Sequence, residues 1–253
     1  MGLYESFAGL LSAHCYAETL SSRYGHSVWG PKAERRTFGA KHWDEPRRWN
    51  AQAEKEGRRV KVFSSSMCDI FEDHPTIEWE REKLWDLIRE TPWIDWQLLT
   101  KRADRIADNL PSDWGFDSGW HNVWLGVSIE NMDYAWRAAH LSQIPAVVRF
   151  ISFEPALGPL DDLSLRGISW VIYGGESGAG YRAHDLDWPR VMLRKCAEAE
   201  CAFFYKQSSA PRTEMGIELD GQIVRFWPTP RPGVIPSPRS AGDRQRLPMV
   251  AAR

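Results

Sequence analysis

The sequence predicts an α/β protein built as a parallel (βα) barrel or partial barrel. Six short apolar runs follow one another along the 253 residues, and they are nearly continuous rather than alternating. Strands that are buried on both faces of a parallel sheet have this pattern. Each run is followed by a polar cluster and then a helix-compatible stretch, and this regular strand–helix alternation predicts the crossovers of a parallel sheet. A chain of this length fits one such barrel.

Each predicted strand ends abruptly in polar residues. The carboxyl ends of the strands carry the active site in (βα) barrels, so we expect the functional residues in these endings. The six runs are RVKVFSSSMCD (59–69), WIDWQLLTKRADR (93–105), NVWLGVSIEN (122–131), AVVRFISFEPALG (146–158), ISWVIYGGESGAG (168–180) and AFFYKQ (202–207).

Four further segments are predicted to be helices. In the second of them, for example, Ile77, Leu84 and Ile88 recur at helical spacing and form one apolar face. The segments are PRRWNAQAEKEGRR (46–59), TIEWEREKLWDLIRET (76–91), MDYAWRAAHLSQI (132–144) and WPRVMLRKCAEAE (188–200). We expect one domain over residues 1–228. The Pro- and Arg-rich residues 229–253 are expected to form a flexible tail that packs little.

The composition indicates the cellular location of the protein and the classes of partner it can have. No stretch of about eighteen apolar residues is present, and the N-terminus lacks a secretory signal, so no membrane partner is expected. The net charge of −2 argues against a global field for nucleic acid but allows local basic patches. Four cysteines without a C-x-x-C pair predict a reducing, cytoplasmic location. The fourteen tryptophans are expected mainly in the core.

Glu154 and Glu176 end successive predicted strands. Two carboxylates placed in this manner serve as acid and nucleophile in glycosidases, so a hydrolase is one interpretation. In the other interpretation, a carboxylate forms a salt bridge with Lys101 or Arg102 and closes the barrel mouth. Both interpretations remain open on the sequence.

The other polar endings allow the binding of an anionic ligand. The turn GGESGAG (174–180) offers backbone N–H groups to an anion, unless it is a simple tight turn. Lys101 and Lys206 could contact a phosphate or a carboxylate, or could be solvated at the rim. Asp69 closes the run SSSMCD (64–69), whose small residues allow a ligand to approach the backbone closely.

Taken in order, these strand endings resemble a phage and prophage protein family. The family has a three-cysteine motif and an uncharacterised function, and it is grouped with radical-SAM-like barrels. The resemblance implies a radical-SAM-like or TIM-barrel-like fold with a short C-terminal hairpin. It rests on CYAETL (15–20), SSMCDIF (65–71), LLTKR (98–102), VWLGVSIE (123–130), FISFEPALGP (150–159), WVIYGGESG (170–178), FFYKQ (203–207) and, for the hairpin, ELDGQIVRFWP (218–228).

The resemblance also implies S-adenosylmethionine and a [4Fe–4S] cluster as cofactors. Three thiolates can hold three irons and leave the fourth to the amino and carboxylate groups of S-adenosylmethionine. In this sequence Cys15 matches the third cysteine and Ser12 stands at the second position. The first cysteine and the first strand have no counterpart, through a late start or through real loss. We expect that the chain as written holds no stable cluster.

Three functions remain open on the sequence. They are a radical-SAM-type enzyme for a nucleotide or nucleic-acid-linked substrate, a degenerate non-redox barrel that binds a ligand or partner, and a barrel hydrolase. The resemblance implies a phage-encoded protein of the bacterial host cell. The predicted catalytic residues are Glu154, Glu176, Lys101 and Lys206. The predicted cofactor-binding residues are Cys15, which is also the residual iron ligand, Ser66, Asp69, Glu130, Gly174, Gly175 and Ser177.

Overall fold

The computed structural model describes residues 23–25, 33–64 and 68–237. All six predicted strands and the four predicted helical segments are present, so the α/β prediction is confirmed. The helices are α1 (Ala40–Trp43), α2 (Glu45–Glu56), α3 (Pro75–Glu90), α4 (Trp136–Gln143) and α5 (Asp187–Glu198). The strands are β1 (Val60–Ser64), β2 (Ile94–Thr100), β3 (Val123–Ser128), β4 (Val148–Phe153), β5 (Trp170–Gly174) and β6 (Ala202–Gln207).

The six strands form one sheet with the order β1-β2-β3-β4-β5-β6. The pairs β1–β2, β4–β5 and β5–β6 are parallel, with Val60 opposite Ile94 and Trp170 opposite Ala202. Spatial order thus follows chain order, which is the order of barrel and partial-barrel sheets. Among the described residues no pairing joins β6 to β1, so this part of the chain does not close a barrel.

The strands are continuous apolar runs because they are covered on both faces. Every residue of β3 and β5 is buried, and β2 is buried except at Leu99. Burial on both faces removes the alternation that a half-exposed strand shows. β1 is different, since Lys61 and Phe63 are exposed and the other residues of the strand are half-buried.

Two crossovers contain no α-helix, which corrects the regular strand–helix alternation that the sequence predicts. Between β2 and β3 the chain forms two 3-10 turns, Ala103–Arg105 and Ala107–Asn109. Residues 154–169, between β4 and β5, contain no helix. Pro155 and Pro159 lie near the start of that segment and disfavour a helix, because proline lacks the amide donor.

The chain divides into two compact units. The β4–β6 unit holds β5, β6 and most of β4, and it consists of Val127–Ala139, Phe150–Pro228 and the described residues up to Arg36. The β1–β3 unit holds β1, β2 and most of β3, and it consists of Thr37–Gly126, His140–Arg149 and the described residues from Thr229 onward.

Tryptophans form the core of the β1–β3 unit. The rings of Trp85, Trp114 and Trp120 lie with centroids 5.5–6.0 Å apart. The guanidinium of Arg89 lies 4.5 Å from the Trp120 ring centroid and bonds Asp113 at 2.8 Å. The expectation that tryptophans mainly fill the core holds for six of them, each at most 4% exposed: Trp85, Trp96, Trp114, Trp120, Trp124 and Trp170.

The core of the β4–β6 unit is built from tyrosine, phenylalanine and tryptophan rings. Tyr173 stacks on Tyr205 with ring centroids 5.6 Å apart and meets Phe153 edge-on at 5.0 Å. Trp170 packs against Trp227 at 4.8 Å. This core fixes the backbone of β4, β5 and β6 up to their carboxyl ends.

The expected C-terminal hairpin is present as a tight turn. Leu219 and Gln222 exchange both backbone hydrogen bonds, and Asp220 and Gly221 have positive φ values of 52° and 75°. Positive φ at both central residues is typical of a type I′ turn, for which Asp-Gly is a preferred sequence. The residues after the turn pair antiparallel with β6 through the Phe204–Arg225 bridge. β6 is therefore covered at its outer edge.

The described part of the predicted tail contains no helix or strand, but its backbone is bonded to the β1–β3 unit. Val234 exchanges backbone hydrogen bonds with Gly119 and His121, and the amide of Arg231 donates to the carbonyl of Val147 at 3.0 Å. Residues 238–253 lie outside the described part of the chain.

Among the described helices, none is long and apolar enough to cross a membrane.

Candidate functional site

The predicted site residues lie at strand ends, as the sequence indicated, but they divide between the two units. The β4–β6 unit contains Glu130, Glu154, Gly174, Gly175, Glu176, Ser177 and Lys206, whereas the β1–β3 unit contains Asp69 and Lys101. Cys15 and Ser66 lie outside the described residues, so their predicted roles remain predictions. Within residues 23–25, 33–64 and 68–237, no three His, Cys, Asp or Glu side chains are grouped to hold a metal ion.

Glu154 and Lys206 form an ion pair that crosses β5. Glu154 follows β4 and Lys206 belongs to β6, and the Lys206 ammonium lies 2.7 Å from Glu154 Oε1. The crossing depends on Gly174 of β5, because a Cβ at that position would lie 2.4 Å from Glu154 Oε1. Glycine at position 174 therefore leaves the space in which the two side chains meet.

The other carboxylate oxygen of Glu154 also has a partner, since Ser152 Oγ donates to Oε2 at 3.1 Å. The Lys206 side chain is 48% exposed and that of Glu154 is 20% exposed. Ion pairs with this exposure contribute little to stability, because water competes for both charges. The pair can therefore open and exchange its partners for those of a ligand at small cost.

Glu176 is held much more tightly. Its Oε2 accepts hydrogen bonds from the backbone N–H of Arg182 at 2.7 Å and from Arg182 Nε at 2.9 Å. Its Oε1 bonds Arg182 Nη2 at 2.5 Å, and the residue is 5% exposed. The carboxylate raises the pKa of Arg182 through these hydrogen bonds. The Arg182 side chain is 36% exposed, but the buried carboxylate would lose a bidentate partner if the pair opened, so the Glu176–Arg182 pair closes the loop 176–182.

Glu130, after β3, is also an interior carboxylate. It is 1% exposed, and its Oε2 accepts from Arg137 Nη1 at 3.0 Å. The same nitrogen donates to the Ser128 carbonyl at 2.8 Å, and the guanidinium lies over the Tyr134 ring at 4.3 Å. Burial, with a smaller contribution from Glu130, raises the pKa of Tyr134. The Glu130–Arg137 pair fixes the start of the helical crossover after β3.

The segments that follow β5 and β6 are joined through their backbones. Gly175 N–H donates to the Gln207 carbonyl at 3.0 Å, and Gln207 Nε2 donates back to the Gly175 carbonyl at 3.1 Å. Further along, the amide of Ala210 donates to the Glu176 carbonyl, and the amide of Gly178 donates to the Ala210 carbonyl, each at 3.0 Å. The Gly175 amide is thus engaged within the protein, unlike the anion-binding turn that the sequence allowed.

In the β1–β3 unit, Asp69 is surrounded by donors. Thr100 Oγ1 lies 2.7 and 2.8 Å from its two oxygens, and the backbone N–H of Phe71 donates to Oδ1 at 3.0 Å. The Lys101 amide and Arg102 Nη1 donate to Oδ2 at 3.1 and 2.9 Å. With its acceptor positions filled from the segment after β2, Asp69 ties the ends of β1 and β2 together.

Two of the three cysteines in the described part of the chain are buried, and the third, Cys68, directly precedes Asp69. Cys196 and Cys201 lie at the junction of α5 and β6 and are 1% and 7% exposed, whereas Cys68 is exposed. A hydrogen bond to the Cys201 thiol, together with burial, raises the pKa of Cys196. A buried thiol with a raised pKa is a poor nucleophile.

The sequence did not identify Arg182, His184 and Ser209 as residues of this site. All three contact the segment after β5 or the segment after β6. Arg182 carried one signal, since a cation six residues after Glu176 in a Gly-rich turn can fold back onto it. His184 and Ser209 meet only in the folded chain, where His184 Nδ1 lies 2.9 Å from Ser209 Oγ. No spacing in the sequence marks that contact.

The geometry separates the predicted residues into two chemical kinds. Asp69, Glu130 and Glu176 have buried or saturated carboxylates that bond to cations or amides of their own unit. Glu154 and Lys206 are the half-exposed pair, and their charges can reach a dissolved molecule. The β4–β6 unit therefore carries the candidate site.

The comparison with known proteins gives a family without an assigned activity. Searches of curated proteins and of solved structures returned no significant match. A protein-family profile described as "protein of unknown function (DUF5131)" matches residues 9–228, which is most of the chain. The chain therefore belongs to the DUF5131 family.

Proposed function

We propose that the protein binds a small molecule with an amino-acid group at the carboxyl ends of β4 and β6. Lys206 would take the ligand carboxylate and Glu154 the ligand ammonium. The proposal rests on the ion pair between these residues, in which Lys206 Nζ lies 2.7 Å from Glu154 Oε1 over Gly174 and the lysine is half exposed. A zwitterion can replace both partners at once, so that neither protein charge is left unpaired.

The bonding of Glu176 favours ligand binding over hydrolysis. A hydrolase would need Glu154 and Glu176 as acid and nucleophile or base. Both oxygens of Glu176 already accept hydrogen bonds from Arg182. For the same reason, Glu176 is a poor ligand for the ammonium of S-adenosylmethionine, and we assign that contact to Glu154 instead.

S-adenosylmethionine, which the family resemblance implies, carries the required amino-acid group. The expected [4Fe–4S] cluster depends on Cys15, outside the described residues, so the proposal contains no step through iron. Iron and sulfide assays on anaerobically reconstituted protein test the cluster separately. We expect no stable cluster, and near four irons per chain, lost in Cys15→Ala, would overturn that expectation.

Isothermal titration calorimetry with a matched ligand pair tests the proposed site. S-adenosylmethionine has the amino-acid group on a charged sulfonium, whereas 5′-methylthioadenosine keeps the adenosine, is a neutral thioether and lacks that group. We expect binding of the first and binding at least about tenfold weaker for the second, a difference of about 1.4 kcal/mol. S-adenosylhomocysteine, a neutral thioether with the amino-acid group, is the control for the sulfonium charge and should bind more tightly than 5′-methylthioadenosine. Equal affinity for both ligands of the matched pair, or no binding of either, would overturn the proposal.

Variants of the ion pair locate the site. Lys206→Met and Glu154→Gln should each weaken S-adenosylmethionine binding about tenfold or more, because each leaves one ligand charge without its partner. Asp220→Asn is the matched control, since it opens the exposed Arg190–Asp220 pair of the same unit, in which the charges lie 2.6 Å apart. Unchanged affinity in both site variants would place binding elsewhere.

A further inference from the structure

His184 lies between the segments that follow β5 and β6. Its Nδ1 accepts the backbone N–H of Ser209 at 3.1 Å and lies 2.9 Å from Ser209 Oγ. Its ring meets Tyr173 of β5 edge-on, with centroids 5.5 Å apart. One imidazole thus contacts the strand on one side and the neighbouring segment on the other.

The hydrogen bonds determine the protonation state of this histidine. The Ser209 amide can only donate, so Nδ1 must carry the lone pair and the proton must lie on Nε2. Nε2 is buried and has no hydrogen-bond partner among the described residues. A proton added to Nδ1 could be donated to Ser209 Oγ, but it would leave the Ser209 amide facing a second donor, so the hydrogen bond from that amide would be lost.

The residues around the contact between His184 and Ser209 are closely packed. A Cβ on Gly175 would lie 2.1 Å from the Ser209 nitrogen and 2.6 Å from His184 Nδ1. The next residue, Ala210, bonds the backbone of Glu176 and Gly178, as described above. Lys206 lies three residues before Ser209, so the order of this segment also determines where the Lys206 ammonium is held.

We infer that neutral His184 is a positioning residue, which holds the segment after β6 against β5 and thereby keeps Lys206 over Gly174. Protonation of His184 releases Ser209 and loosens the segment. The effect on the segment follows from the contacts of His184 alone. The effect on ligand affinity rests on the proposed function.

The groups near His184 favour its neutral form. Burial is the larger influence and lowers the pKa of His184, while the Asp185 carboxylate raises it to a smaller extent. Tyr173 and Tyr205 face this region from β5 and β6 as neutral phenols, since burial raises the pKa of each. The charged residues of the segment after β5, Glu176 and Arg182, are paired with each other, and the first-turn Asp187 of α5 is paired with Arg190.

The sign of the pH effect follows from the lowered pKa. The unfolded chain takes up a proton near the ordinary histidine value of about 6.5, and folded His184 takes it up only at lower pH. The contribution to stability is therefore complete above about pH 6.5 and is lost as the pH falls toward the folded-state pKa. We expect a loosened segment on the acid side only.

Hydrogen exchange at the amides of Ser209 and Ala210, measured between pH 7.5 and 5, tests the inference. In the wild type, protection factors corrected for intrinsic exchange should fall about tenfold or more on acidification. His184→Asn places an amide oxygen near the Nδ1 position and should keep the protection at both pH values. His184→Gln places its oxygen near Nε2 and should lose the protection at both. His121→Asn, in the β1–β3 unit, is the control and should behave as the wild type.

Two outcomes would overturn the inference. One is full protection of Ser209 and Ala210 in the wild type at pH 5, which needs no variant to fold. The other is the same acid-induced loss in His184→Asn as in the wild type. A titration with S-adenosylmethionine at both pH values then tests the link to Lys206. If that ligand fails to bind at any pH, the proposed function fails while the exchange result still decides the role of His184.

Discussion

The two units use carboxylates at strand ends in opposite ways. Asp69, in the β1–β3 unit, accepts hydrogen bonds from two side chains and from two backbone amides. Within the described residues, Glu154 of the β4–β6 unit bonds the side chains of Ser152 and Lys206, and Lys206 is half exposed. The same position at the end of a strand thus supports a structural link in one unit and an exchangeable ion pair in the other.

Side-chain length and local backbone explain this difference. The short carboxylate of Asp69 reaches the backbone N–H of Phe71, two residues ahead, and the segment after β2 brings Thr100 and Arg102 to it. The longer Glu154 side chain extends across β5, where Gly174 presents no Cβ. A carboxylate bonded to backbone amides is part of the fold, whereas one bonded to a half-exposed lysine can exchange that partner for a ligand.

Gly175→Ala should have the largest effect on stability. The added Cβ would lie 2.1 Å from a backbone nitrogen of the neighbouring segment, which cannot move without breaking the link between β5 and β6. We expect a loss of more than about 4 kcal/mol in urea unfolding, or no folding. Gly39→Ala, whose Cβ would meet no atom within 4 Å, is the control. A stable Gly175→Ala protein would contradict the close packing of the β4–β6 unit.

Asp69→Ala should come next, with a loss of about 3 kcal/mol, because it leaves the donors of Thr100 and Arg102 without their acceptor. Asp73→Ala removes a carboxylate that is 75% exposed and paired with Arg105, and it should cost less than about 1 kcal/mol. Urea unfolding of the two variants measures the difference. Equal and small losses would show that Asp69 is no more structural than an exposed aspartate.

Gly174→Ala should have an intermediate effect. The three atoms nearest to its Cβ would all belong to the flexible Glu154 side chain, which can swing away at a cost of about 1–2 kcal/mol. The swing would break the ion pair, so we expect S-adenosylmethionine binding to fall about as far as in Glu154→Gln. Calorimetry and urea unfolding on one preparation separate the two effects. Normal binding in Gly174→Ala would mean that the crossing over β5 is not required.

Glu154→Gln should have the smallest effect on stability, below about 1 kcal/mol, because exposed ion pairs contribute little. Unlike Asp69→Ala, this variant should lose ligand binding while it keeps its fold. Urea unfolding alongside Asp69→Ala gives the direct contrast. A loss as large as that of Asp69→Ala would make Glu154 a structural residue and would remove the distinction between the two units.

The sequence by itself determined the strands and the positions of their polar endings. Apolar runs such as those of β3 and β5 are continuous because both faces are buried, and this pattern is local. The C-terminal hairpin was expected from the family resemblance, and its Asp220–Gly221 pair suits a turn with positive φ at two successive residues. The helix-free crossovers after β2 and β4 were not anticipated, although Pro155 and Pro159 gave a local reason for the second.

Only the tertiary structure decided which charges meet. On the sequence, Glu154 and Glu176 were equivalent carboxylates, and Lys101 and Lys206 were equivalent cations. Folding pairs the buried carboxylate of Glu176 with Arg182, and it pairs the partly exposed carboxylate of Glu154 with the half-exposed Lys206. The choice depends on which side chains can span neighbouring strands, on the space that Gly174 leaves, and on how far each pair is removed from water. For Glu154 and Lys206 those quantities depend on segments distant in sequence, so no local pattern of residues encodes that pair.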